Sequence, residues 1–185
     1  MPLPTRNSIL TIEAFADTIL PGEKRTPDDR AVAGAAPGAG AVAAGALDLL
    51  QWSATGVHDG LDDFAAALDG HALAYAEELG LELDQDVPPF VALPFEHRTA
   101  LVGRLTTPGH REKELWISLA LFSYMAYDSA AHLNTAEAIA AGHPGLTALG
   151  IAKPGADGLW RFPDFSYGRK LADPHPDTIP TGSLP

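Results

Sequence analysis

The sequence predicts an all-α fold: a bundle of about five to six helices with a long irregular C-terminal tail rich in Pro, Gly and aromatic residues. Three observations carry this. Apolar residues recur at helical spacing in five segments, Pro, Gly and polar clusters separate those segments, and none alternates in the manner of a half-buried strand.

Asn7 or Ser8 is placed to cap the first helix, whose apolar residues are Leu10, Ile12, Phe15, Ile19 and Leu20. Pro21-Gly22 stops it, and residues 21–30 read as a polar loop. Residues 31–46 are almost all Ala and Gly. Val42, Ala46, Leu47, Leu49, Leu50 and Trp52 then restore an apolar stripe, so a second helix is expected from about Pro37 or Gly38 to Ser53. Asp59 is placed to cap a third helix running to Leu79, with Leu61, Phe64, Ala65, Leu68, Ala72 and Tyr75 on one face and acids on the other. Gly80 is its natural stop.

Residues 81–93 read as a loop through Pro88-Pro89. Pro94 then opens a helix that ends at Pro108-Gly109. The longest helix is expected from about Arg111 to His132. Its centre, Leu115 to Tyr127, is almost continuously apolar, the pattern of a buried central helix. A short helix from Asn134-Thr135 to Ala141 closes at Gly142. From there Pro and Gly forbid a long helix. The organisation expected is thus a helical domain over 1–142 and an irregular tail over 143–185, packed on the domain or on a partner.

The 185 residues carry 46% hydrophobic and 19% charged side chains, a globular composition. The absence of Cys excludes disulfides, iron–sulfur clusters and thiolate zinc sites. The net charge is −12, and no Lys or Arg lies between Arg30 and Arg98. Such a surface repels nucleic-acid backbones and anionic lipids, so neither is an expected partner. It suits either a solvated face or a docking face for a basic partner. No apolar segment is long enough to span a bilayer and no signal peptide opens the chain, so it reads as cytoplasmic, with co-export alongside a partner as the other route.

The seven histidines, His58, His71, His97, His110, His132, His143 and His175, form no i, i+4 pair, and no metalloprotease or di-iron motif is present. No phosphate-binding Gly-rich loop or nucleophile elbow occurs either, so no cofactor and no metal are expected in this chain. The best polar cluster is Tyr124, Tyr127, Asp128 and His132, on one face if a single helix carries them all. Asp128 would then stand one turn before His132, an arrangement that orients an imidazole for acid–base work or fixes it structurally near the helix end. A second cluster lies in the tail. Trp160, Phe162, Phe165 and Tyr167 with Arg161 and Arg169 are interface-type residues, suited to a partner or to the chain's own core.

With these elements placed, Phe15-Ala16-Asp17-Thr18-Ile19-Leu20-Pro21-Gly22, then Ala36-Pro37-Gly38-Ala39 and Leu47-Asp48-Leu49-Leu50, resemble the opening of the gluconate 2-dehydrogenase subunit 3 family. The Pro94-Phe95-x-x-Arg98-x-x-Leu101 helix and the apolar helix after it fit the same layout, so the resemblance covers roughly residues 9–130. The tail resembles a divergent, actinobacterial-type member. The resemblance implies a small, non-catalytic accessory subunit or folding companion of a flavin-dependent, glucose-methanol-choline-type oxidoreductase. FAD and the catalytic His would belong to that large partner, and no catalytic position is carried onto this chain. Two other readings stand beside it: a small tailoring or isomerising enzyme using Tyr124, Asp128 and His132, and a scaffold or solubility module.

Overall fold

A computed structural model describes residues 4–31 and 36–151. The fold is all-α, with eight α-helices and no strand among the described residues. They are α1 (Arg6–Ile19), α2 (Ala46–Gln51), α3 (Leu61–Leu79), α4 (Pro89–Ala92), α5 (Phe95–Leu105), α6 (Lys113–Asp128), α7 (Thr135–Ala140) and α8 (Pro144–Ala148). The chain divides into two compact units, Met1–Leu149 and Gly150–Pro185, so the first unit extends past Gly142, where the sequence changes character. The tail cluster Trp160, Arg161, Phe162, Phe165, Tyr167 and Arg169 lies outside the described residues.

In the first unit α1 packs on α3 and α6, and α2 packs on α6. Phe15, fully buried, lies at the centre, 6.1 Å from the Trp116 ring of α6 and 6.5 Å from the Phe90 ring of α4. Ile12, Leu68, Leu93 and Leu119 complete the apolar contacts around it.

Several boundaries differ from those expected, each for a local reason. Thr5, not Asn7 or Ser8, caps α1, its hydroxyl accepting from the Ser8 N–H at 3.2 Å. The helix expected over 38–53 shrinks to Ala46–Gln51 because Gly45 stands at φ +91°, which breaks the helix that Ala-rich residues 41–44 would otherwise continue. Pro21-Gly22 does more than stop α1. The Gly22 and Gly40 backbones cross so closely that a Cβ on either would collide with the other strand of chain. The Glu23 N–H reaches the Gly38 carbonyl at 2.8 Å and the Ala41 N–H the Leu20 carbonyl at 2.9 Å, which pins that crossing.

Asp59 does not cap α3. It pairs with His58 at 2.9 Å in a 3₁₀ turn, and Gly60 occupies the cap position without a side-chain bond. Within the segment expected to be a loop, α4 forms because Asp69 of α3 accepts the Phe90 N–H at 3.0 Å, a cap supplied from 21 residues away. The longest helix is α3, with 19 residues; α6 has 16 and stops at Asp128, since Ala130 adopts φ +48°. Pro94, Gly80, Asn134 and Gly142 stand at the boundaries read from sequence.

Candidate functional site

The early end of α6 decides the geometry around Tyr124, Tyr127, Asp128 and His132. Tyr124, Tyr127 and Asp128 lie on α6, whereas His132 follows the break at Ser129–Ala130. Asp128 and His132 therefore do not stand one helical turn apart, and they form no hydrogen bond or ion pair with each other. The Asp128 Oδ1 and His132 Nδ1 atoms are both buried without a hydrogen-bond partner among the described residues. His132 instead lies over the start of α2. A Cβ placed on Gly45 would come within 2.6 Å of its Nε2. Burial pushes the His132 pKa down; the Asp48 carboxylate opposes this, and His143 adds to it. The neutral imidazole is favoured, and the carboxylate whose field it feels comes from α2, a neighbour that no local spacing reveals.

Three other histidines are engaged structurally. His71 bonds Glu112 at 2.7 Å, and Glu112 also accepts the Trp116 indole N–H at 3.3 Å, which ties α3 to the start of α6. His97 meets the Tyr75 hydroxyl at 3.1 Å. His143 caps α8 through the Leu146 N–H and lies 3.0 Å from the Ala44 carbonyl, with its ring buried. Among the described residues no group of three or more His, Asp or Glu side chains is placed to hold a metal ion.

Two buried charged residues that sequence reasoning passed over organise the first unit. Arg98 of α5, 5% exposed, spends its guanidinium on four backbone carbonyls: Leu93 at 2.9 Å, Ala31 and Val91 at 2.6 Å, and Arg30 at 3.1 Å. Burial draws its pKa down to about 10, against the pull of Asp17. Asp17 of α1 is 1% exposed, and its Oδ1 accepts the Val42 N–H at 3.3 Å. Its Oδ2 has no hydrogen bond and faces an Arg25 nitrogen at 3.8 Å. Burial pushes this carboxyl up to about 6; Val42 and Arg25 oppose the rise, and Asp29 and Glu13 add to it.

The surface of α6 holds the feature of most functional interest. Trp116, Leu119, Ser123 and Ala126 are buried, so this helix is not enclosed all round as its apolar run suggests. Ile117, Leu121 and Tyr124 are 38%, 53% and 46% exposed. Their spacing of four and three residues places them in one row along the solvent side. Tyr124, read from sequence as part of a polar cluster, is thus the end of an apolar row. The sequence signal for it was present but ambiguous: a continuous apolar run does not say which side lacks a neighbour.

A family model described as a family of unknown function (DUF5987) matches residues 6–185. No curated protein and no solved structure matches the chain. No helix among the described residues is long and apolar enough to cross a membrane.

Proposed function

The chain belongs to the DUF5987 family, and we propose that it serves as a non-catalytic accessory subunit or folding companion that docks on a larger protein through α6. The observation that carries this reading is the row Ile117, Leu121 and Tyr124, three large apolar side chains left about half exposed on a helix whose other side is core. Exposed apolar residues scattered singly are ordinary, but a helical row of three is the form in which an interface presents its anchors. Covering the exposed halves of the three side chains contributes roughly 1 kcal/mol each, by the usual value for complete burial of such a side chain. That is a useful core for an interface but not a whole one.

The resemblance over residues 9–130 supports a particular partner: the large subunit of a glucose-methanol-choline-type, flavin-dependent dehydrogenase, with FAD held by that subunit. The tail aromatics from Trp160 to Tyr167, with Arg161 and Arg169, supply further anchors of the kind such an interface uses.

The test is co-expression of this chain with that large subunit from the same source. A flavin-coloured complex of fixed stoichiometry is expected on size exclusion, and Leu121→Asp combined with Tyr124→Asp should release a folded, colourless chain. Separate elution of the two wild-type proteins, or an intact complex carrying both substitutions, would refute the assignment.

A further inference from the structure

A cleft of about 530 Å³ opens between the start of α1, residues 25–30 and residues 86–87. That volume falls within the range of small-molecule sites. Leu10 and Val87 line it and pack inward against the core, which gives it an apolar base. Two of its three arginines are already committed. Arg25 holds Asp29 through two nitrogens at 2.7 and 3.1 Å and reaches Glu13 at 3.4 Å, and Arg30 is paired with Asp84 at 2.8 Å. These pairs brace the wall and give each of the two guanidinium groups a carboxylate partner within the chain.

The uncommitted charges are different in kind. Among the described residues Arg6, Asp28 and Asp86 line the cleft without an ion-pair partner. One free guanidinium and two free carboxylates thus share one cavity. A purely anionic ligand would meet two like charges, and a purely cationic one would leave Arg6 unanswered. We propose that this cleft binds a small basic zwitterion of the amino-acid kind, its carboxylate on Arg6 and its ammonium groups on Asp28 and Asp86. Behind the wall stands the buried Asp17, whose Oδ2 lacks a hydrogen bond and faces Arg25, so the surrounding field also favours a ligand with excess positive charge.

The experiment is an amide NMR titration of the full chain with L-lysine at constant ionic strength, with 1,5-diaminopentane and glutarate as probes lacking the carboxylate or the amines. Saturable shifts around Arg6, Asp28 and Asp86 are expected, with lysine binding more tightly than either control. Both Arg6→Gln and the Asp28→Asn, Asp86→Asn double variant should weaken it at least tenfold. These side chains are exposed and unpaired, so the variants should fold normally. The proposal is overturned by diffuse, unsaturable shifts along the acidic surface. It is equally overturned by lysine binding unchanged in the variants, or by diaminopentane binding as well as lysine.

Discussion

Replacing Asp17 with Asn tests the electrostatics of the first unit. Asp17 is 1% exposed, and its carboxyl is pushed from an ordinary 3.8 up to about 6, chiefly by burial. Below pH 3.8 the folded and unfolded forms both carry the proton, and the site costs nothing. As pH rises toward 6 the unfolded chain releases its proton first, so stability falls; above that the loss is complete and constant. At about 1.4 kcal/mol per pH unit, the penalty reaches about 3 kcal/mol at neutral pH. Asn cannot ionise, yet its carbonyl can still accept the Val42 N–H that Asp17 Oδ1 accepts at 3.3 Å. Urea unfolding of both proteins from pH 3.5 to 7.5, followed by circular dichroism, isolates the effect as a difference between the two curves. Asp17→Asn should gain about 3 kcal/mol on wild type between the ends of that range, most of it between pH 4 and 6. Parallel curves would show that Asp17 is not a buried, reluctantly charged group.

Three further outcomes are expected. Gly145→Ala should destabilise the first unit by about 1–3 kcal/mol, because a Cβ there collides with the Tyr127 backbone carbonyl at the end of α6; thermal melting measures it. A double-mutant cycle of Asp128→Ala and His132→Ala should give a coupling within about 0.5 kcal/mol of zero, since the two side chains do not bond; a coupling well above this would restore the acid–imidazole pair. If the proposed flavoprotein is the partner, truncation after Gly158 should weaken its capture in a pull-down, because it removes Trp160, Phe162, Phe165 and Tyr167.

How much of this could be read from sequence depended on whether the cause was local. The α3 face could, because Leu61, Ala65, Leu68, Ala72 and Tyr75 are buried at regular spacing and Gly80 ends the helix. So could α7, because Asn134 caps it through the Ala136 and Glu137 N–H groups. By contrast α4 was hidden: its cap, Asp69, arrives from α3, and four residues between prolines give no period. The Asp128–His132 pairing failed for a related reason. It required α6 to run one more turn, and Ala130 at φ +48° breaks it with a residue type that ordinarily extends helices. Arg98 was visible as part of a Pro94-Phe95-x-x-Arg98 pattern, but its four carbonyl partners come from two stretches of chain, 30–31 and 91–93, that only the fold brings together around it.

That the α6 row is a docking face is tested by photo-crosslinking from position 121. A photoreactive residue replaces Leu121, 53% exposed, and a second protein carries it at Gly70, an exposed position on α3, as control. Irradiation with the flavoprotein large subunit should give a covalent heterodimer from position 121 and little from position 70. No adduct from position 121 under conditions where the two proteins co-elute, or equal adducts from both positions, would contradict the claim.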